Sequence, residues 1–366
     1  MDQKQTNSTL TEKISNLSSQ SLIYNSTLVA NRFAERNERI KKWCTKPEYD
    51  KAIQELRKKP IIRIAGGKLE WCSVPKVGST YMKGLTNNLF GEKPLFIRKP
   101  KKNVDGVKRF FFVREPYSRL VSGYLGKIAT HPVWWNTLGA YMTAYFKPLK
   151  DRYKPKCGHN VTFPEFIKYF IHSEETGRKQ NIHFIPINRI CDSCVGKYDY
   201  IGHLETISDD LKYIFQTVNE SQDTSVLDSD AMTISGKCKS VVKDFYGQRY
   251  ARCLSLCDAM KKVWWSFHVR GLISKDIEFP IDEDSCDQTT GAHFASLALK
   301  ANAESRGKFD KRGQKREFLI SLYSQVPLED RVKVKELLAQ DFNLFGYDAQ
   351  PDYVFPQSEE NTQTRT

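Results

Sequence analysis

The sequence predicts an α/β fold, a mainly parallel sheet flanked by helices. Short apolar runs of strand length, LEWCSV (69–74), KRFFFV (108–113) and YDYIGHLE (198–205), each lead into a stretch with helical apolar spacing. Strands that alternate with helices build a layered domain around a mainly parallel sheet. The 366 residues are 40% hydrophobic and 12% aromatic, enough to bury a core, which excludes wholesale disorder.

Taken in order, the first 42 residues are assigned to a flexible stem. Their opening is rich in Ser, Thr and Asn and carries three Asn-x-Ser/Thr sequons, at Asn7, Asn16 and Asn25. A charged helical pattern runs through 31–60 with Phe33, Ile40, Trp43, Ile53 and Leu56. The main domain is expected over 43–350. In it, TYMKGLTNNLF (80–90) reads as a helix, and PYSRLVSGYLGKI (116–128) as another, with Pro116 in the first turn and Leu120, Val121, Tyr124, Leu125 and Ile128 on one face. A further helix places Ile207, Leu211, Ile214, Phe215 and Val218 together. Residues 221–315 break the rhythm and read as an insertion. It holds four of the nine cysteines and ends in a basic run from Lys300 to Arg316. A last helix from about Pro327 through DFNLFGY returns to the core, and 351–366 reads as a disordered tail.

The chain has 57 Lys and Arg against 43 Asp and Glu, a net charge of +14. Such a balance calls for an anionic partner. Nucleic acid is disfavoured because the charge is dispersed and no binding motif is present. Two further sequons, at Asn160 and Asn219, and nine cysteines lean towards a lumenal compartment, with at least one thiol unpaired within the chain. Cys191 and Cys194 form a Cys-x-x-Cys that is better read as structural disulfide chemistry than as a redox pair or half a zinc site. Cys253 and Cys257 share a helical face, with Cys238 and Cys286 as partners to consider. No segment has the roughly 18 apolar residues of a membrane span.

The strongest chemical signal is CSVPKVGST (72–80), between a strand and a helix. A glycine-containing turn of this kind aims main-chain N–H groups at one point, and the helix N-terminus adds partial positive charge, so phosphate or sulfate binds there. Lys76 brings a full charge, and Ser79 and Thr80 bring hydroxyls. It is not a Walker A loop, because the lysine precedes the only glycine, which disfavours a kinase. The second signal is KRFFFVREPYSRLVSGY, where a strand ends in Arg114 and Ser122 follows on the next helix. A guanidinium and a hydroxyl can grip a further phosphate. Both loops sit at the carboxyl ends of strands, where open α/β sheets bind ligands.

PKVGST and FFVREPYSRLVSGY together resemble the 5′-phosphosulfate and 3′-phosphate motifs of the Golgi carbohydrate sulfotransferases, in particular the chondroitin and dermatan 4-O-sulfotransferase-like branch. HPVW, VTFPEFIKYFI, NIHFIPINRICDSCVGKYDYIGHLET and DFNLFGY are similar to later segments of that family, in the same order. The resemblance implies a nucleotide-kinase-like architecture and 3′-phosphoadenosine 5′-phosphosulfate (PAPS) as sulfate donor, with no metal. Pro75, Lys76, Val77, Gly78, Ser79 and Thr80 would hold the 5′-phosphosulfate, and Arg114 and Ser122 the 3′-phosphate. Lys76 would also act on the leaving oxygen. The acceptor would be a hydroxyl of a glycosaminoglycan or glycoprotein glycan, an acidic polysaccharide being favoured. The setting would be the Golgi lumen, with a membrane anchor that no segment here supplies. For the general base, His183 leads, with Glu205 and His131 behind it, while Glu115 reads as structural. Ser79, Tyr81, Met82 and Phe184 depart from the family pattern. A non-catalytic binder of acidic glycans on the same fold is the alternative.

Overall fold

The computed structural model describes residues 24–50, 60–91, 95–97, 106–147, 157–218, 229–246 and 253–356. Five strands form one sheet: β1 (Ile61–Ile64), β2 (Leu69–Cys72), β3 (Leu95–Ile97), β4 (Lys108–Val113) and β5 (Tyr200–His203), in the order β3-β1-β2-β4-β5. The three expected strands, β2, β4 and β5, pair in parallel, with Trp71 opposite Phe110 and Phe111 opposite Ile201. Phe110 to Val113 are all buried, as a parallel strand covered on both faces requires. The outer pairings, β1 with β2 and β1 with β3, are antiparallel. The expected parallel sheet is therefore the half that carries the candidate site. β1 and β3 were not foreseen in the sequence.

Ion pairs close the lower end of the sheet. Glu70, 2% exposed, accepts from Arg63 Nη2 at 2.5 Å and from Arg109 Nε at 3.0 Å, and Lys108 Nζ meets Asp199 Oδ1 at 2.9 Å. The sequence also carries a basic stretch over 93–109, and Lys108 and Arg109 at its end are thus engaged within the fold. Lys93, Arg98, Lys99, Lys101 and Lys102 lie outside the described residues.

Helix α1 (Ser26–Cys44) corrects the stem assignment. Asn25 caps it by accepting from Leu28 N, and Val29, Phe33 and Ile40 are buried against the sheet. Arg36 donates to Asp210 Oδ2 (2.7 Å), Ile201 O (3.0 Å) and Thr206 Oγ1 (3.0 Å), and Asn37 donates to Asp199 O. Charges of this stretch face a buried carboxylate, so residues 26–42 are part of the domain. The start of the assigned tail is also packed: Val354 is buried and its carbonyl accepts from Arg331. Residues 357–366 lie outside the described residues.

Helices α2 (Ser79–Phe90), α3 (Pro116–Gly123), α4 (Phe163–Thr176) and α5 (Ile207–Gln216) flank the sheet. The expected insertion folds as α6 (Ser229–Tyr246), α7 (Leu256–Val269) and α8 (Gly291–Ser305), with a core of its own built on Ile234, Met260, Trp264, Phe267 and Phe294. Helices α9 (Lys311–Ser324), α10 (Leu328–Leu337) and α11 (Ala339–Phe345) complete the chain, so the single last helix expected after Pro327 is two, breaking at Leu338. Among the described residues no helix is long and apolar enough to cross a membrane.

Four disulfides join Cys44 to Cys194, Cys72 to Cys191, Cys157 to Cys253 and Cys257 to Cys286, and Cys238 is a buried free thiol. The Cys-x-x-Cys is structural, but its two members bond to distant partners rather than to each other. Replacing Phe33 by Ala should cost about 3–5 kcal/mol in urea-unfolding stability, the usual range for a buried aromatic. A loss under about 1 kcal/mol would return α1 to the stem.

Candidate active site

The loop from Cys72 to Gly78 is fixed at both ends. Cys72 is disulfide-bonded, and Val74 and Val77 are buried. Between them the main chain turns sharply, with Lys76 at φ 72° and Gly78 at φ 81°. A β-carbon on Gly78 would also lie 3.2 Å from Leu204 Cδ1, so the position needs glycine for conformation and for space. Gly78 offers α2 no side-chain cap. The first N–H groups of the helix, those of Ser79, Thr80 and Tyr81, are therefore left for a ligand. Val77 is corrected as a binding side chain, since it is 1% exposed and belongs to the core. Only its main chain can serve the loop.

Arg114 leaves the end of β4 and is held in place by Nε donating to Ser118 Oγ at 2.9 Å and Nη1 donating to Lys76 O at 3.4 Å. Glu115 caps α3 by accepting from Tyr117 N and Ser118 N at 2.9 and 2.6 Å, the structural role expected of it. Ser122 is buried one helical face along. From Tyr124 to Ala129 the helix widens into a π-helical turn, a feature common at functional sites. Gly126 in that turn makes room for Lys76: a β-carbon there would stand 2.3 Å from Lys76 Nζ.

These groups converge on a cavity of about 630 Å³, which Pro75, Lys76, Gly78, Ser79 and Thr80 line together with Arg114, Ser122, His131 and His183. Arg114 and Ser122 also face an adjoining cavity of about 410 Å³ with Lys315 on its wall. Both lie at the carboxyl ends of β2, β4 and β5. Three cations that line the first cavity were missed in the sequence: Lys127, Lys237 and Arg270. Lys127 lies just past the second motif. Lys237 and Arg270 come from the expected insertion, where no motif marks them.

The cavity is strongly electropositive. Among the described residues no carboxylate forms an ion pair with Lys76, Arg114, Lys127, Lys237 or Arg270. Burial, then Arg270, Lys237, Lys127 and Arg114, hold the Lys76 ammonium well below the ordinary lysine range. Burial and neighbouring cations pull Lys237 down to about 7. Arg270 has Nε and Nη2 closed off from solvent with no acceptor. Buried donors without partners are rare in folded proteins, and here they face a cavity that a polyanion would fill.

His183 sits on the opposite wall. Its Nδ1 is 2.7 Å from Asn181 Oδ1, an acceptor, which places the ring proton on Nδ1 and leaves Nε2 free to take one. Burial first, then Lys127 and Lys76, lower its pKa to about 3, so the imidazole is neutral. Phe184 is core rather than acceptor wall, packed on Phe166 and against Gly123. His131 lines the same cavity, its Nδ1 3.7 Å from Asp244 Oδ2. Glu205 is already engaged: it accepts from Glu115 N at 3.3 Å and from the Tyr347 hydroxyl at 2.9 Å. Among the described residues no group of three His, Cys, Asp or Glu side chains is placed to hold a metal ion.

An α/β sheet whose strand ends present two cationic loops and a neutral imidazole to one cavity is suited to a phosphorylated or sulfated ligand. Residues 65–246, about half of the chain, match the sulfotransferase family model, and the chain belongs to that family. It is 33% identical to carbohydrate sulfotransferase 14 of Danio rerio over 114 residues, 31% of this chain and 30% of that one. The human protein of that name is 30% identical over 115 residues, 30% of this chain and 28% of that one. Carbohydrate sulfotransferase 11 of Mus musculus is 28% identical over 186 residues, 42% of this chain and 51% of the relative. The chain thus spans less than a third of the length of the first two relatives and about half of the third. No solved structure matches it significantly. The family match runs through α6, so the segment expected to be an insertion without a family counterpart begins inside the family domain.

Gly126→Ala should leave the melting temperature within a few degrees yet weaken inorganic sulfate or phosphate binding several-fold by displacing Lys76, as read by calorimetry. Unchanged affinity would remove Gly126 from the site. The neighbouring cations lower the pKa of His183, so an anion that neutralises them must raise it. Its Cε1–H resonance should titrate at a higher pH with adenosine 3′,5′-bisphosphate bound than without. A pKa that stays put or falls would exclude anion binding beside it.

Proposed function

We propose that this protein transfers the sulfuryl group of PAPS to a sugar hydroxyl of a glycosaminoglycan or glycoprotein glycan. The observation that carries this reading is the convergence of Lys76, the α2 N-terminus, Arg114 and Ser122 on one cavity where the five cations Lys76, Arg114, Lys127, Lys237 and Arg270 outnumber one lining carboxylate, Asp230. A cavity of about 630 Å³ lies within the range of small-molecule sites. The first-turn N–H groups of α2, with the Ser79 and Thr80 hydroxyls, suit a 5′-phosphosulfate, and Arg114 with Ser122 suits a 3′-phosphate. The donor supplies an activated sulfuryl group on a phosphate leaving group.

The chain's residues then have distinct tasks. Lys76 stabilises the charge that develops on the bridging oxygen, the usual role of a positioned cation in such displacements. The Nε2 of His183 accepts the proton of the acceptor hydroxyl, and Asn181 keeps the ring in the tautomer that allows it. Its depressed pKa suits a base only once anions enter the site and raise it. The surplus of cations around Lys127 favours an acceptor that is itself acidic, of the chondroitin or dermatan type. Disulfides and the exposed sequon at Asn160 support a lumenal, Golgi setting.

Lys76→Ala and Arg114→Ala should each lower the transfer of labelled sulfate from PAPS to chondroitin or dermatan at least 100-fold, about the loss expected for one transition-state donor. Near-normal transfer in both variants would overturn the reading. A parent protein that binds these glycans but transfers nothing would instead be a glycan-binding member of the fold.

A further inference from the structure

We propose that Lys237 is a catalytic residue, binding the oxygens of the sulfuryl group in transfer beside Lys76, and that Arg270 is a further ligand of the donor's phosphates. This rests on the sulfotransferase reading above and goes beyond it, because neither residue lies in a phosphate-binding motif. Lys237 is on α6 and Arg270 immediately follows α7, within the segment with its own core.

The geometry joins them to Lys76. Lys237 Nζ donates to Gly126 O at 3.2 Å, and Lys76 Nζ packs against the α-carbon side of the same glycine. Two ammonium groups thus meet at one residue of the π-helical turn. A single hydrogen bond to a carbonyl contributes about 1 kcal/mol, too little to explain a buried ammonium among Arg270, Lys127 and Lys76. A neutral side chain would serve that carbonyl as well. Asp244, two turns along α6, offsets the Lys237 charge only in part: it forms no ion pair with Lys237 and sits 3.7 Å from His131 Nδ1. Arg270 presents two donors, Nε and Nη2, sealed from water and unfilled.

In the transfer, the acceptor oxygen bonds to sulfur as the bond from sulfur to the bridging oxygen breaks. The electron pair stays on the departing phosphate oxygen, facing Lys76, and the hydroxyl proton passes to His183. Charge on the sulfuryl oxygens is spread in the plane between donor and acceptor. Lys237, near Arg270 and Lys127 on the wall of the same cavity, is placed to meet it.

The test compares the parent with Lys237→Gln, Lys237→Met, Lys237→Arg and Arg270→Gln. Single-turnover transfer should fall about 100-fold in Lys237→Gln and Lys237→Met, and Lys237→Arg should recover part of it. Their affinity for adenosine 3′,5′-bisphosphate, which lacks the transferred group, should stay within about threefold of the parent's. Arg270→Gln should weaken that affinity about tenfold or more, as expected for a charge-assisted contact. Both neutral Lys237 variants should melt at or above the parent's temperature, because each removes a buried cation held beside Arg270 and Lys127. Transfer within a few-fold of the parent, or a lowered melting temperature marking a structural lysine, would overturn the role of Lys237. Unchanged bisphosphate affinity would overturn that of Arg270. A parent that neither binds the bisphosphate nor transfers sulfate would fail at the sulfotransferase reading itself, before these residues are reached.

Discussion

The buried guanidinium of Arg119 holds the two halves of the candidate site together. It is 2% exposed and donates to Pro75 O (3.3 Å), Ile185 O (2.8 Å) and Ile182 O (3.4 Å). The first carbonyl belongs to the loop that carries Lys76, and the other two flank His183. One planar cation thus sets the separation between the anion-binding loop and the base. Arginine suits this because its fork keeps several donors in fixed directions and stays charged when buried. Asp341, on α11, lies behind it and accepts from Ile187 N and Asn188 N at 2.6 and 2.9 Å. The closing DFNLFGY segment therefore supports the base from the far side of the molecule, and the Cys72–Cys191 bridge fastens the same two loops covalently.

Around that frame, three parts of the chain contribute to one cavity. The sheet ends give Lys76 and Arg114, the π-helical turn gives Lys127, and the α6–α7 unit gives Lys237 and Arg270. The last unit has its own apolar core, tied by the Cys157–Cys253 bridge to the segment before α4. Packing that is independent in its interior is still committed at its edge, because Lys237 donates to Gly126 O of the π-helical turn and Arg270 lines the same cavity.

The sequence was most legible where local chemistry decides. The alternation of buried strands and helices located β2, β4 and β5, and the glycine turn and the strand-end arginine marked the two loops that do converge. Its errors have physical causes. Residues 26–42 were joined to the stem because the opening is rich in Ser, Thr and Asn and carries three sequons, whereas Arg32 and Arg36 meet Asp210, which is buried. Val77 was included because a motif is contiguous in sequence, while a turning main chain sends alternate side chains inward. Lys237 and Arg270 were invisible because their significance depends on which helix faces cross the cavity. Arg119 lay within a recognised motif, yet only tertiary contact distinguishes a buried strut from a solvated arginine.

The excess positive charge in the cavity also bears on how long the molecule lasts. Cations held together out of water, five of them against one lining carboxylate, repel one another and weaken the empty fold. A ligand that binds only the folded form stabilises it by an amount set by its concentration relative to its dissociation constant. The empty protein is then the fragile form and the loaded protein the durable one. Persistence in its compartment becomes a function of ligand supply, and starvation for the anion would shorten the protein's lifetime as well as idle its site.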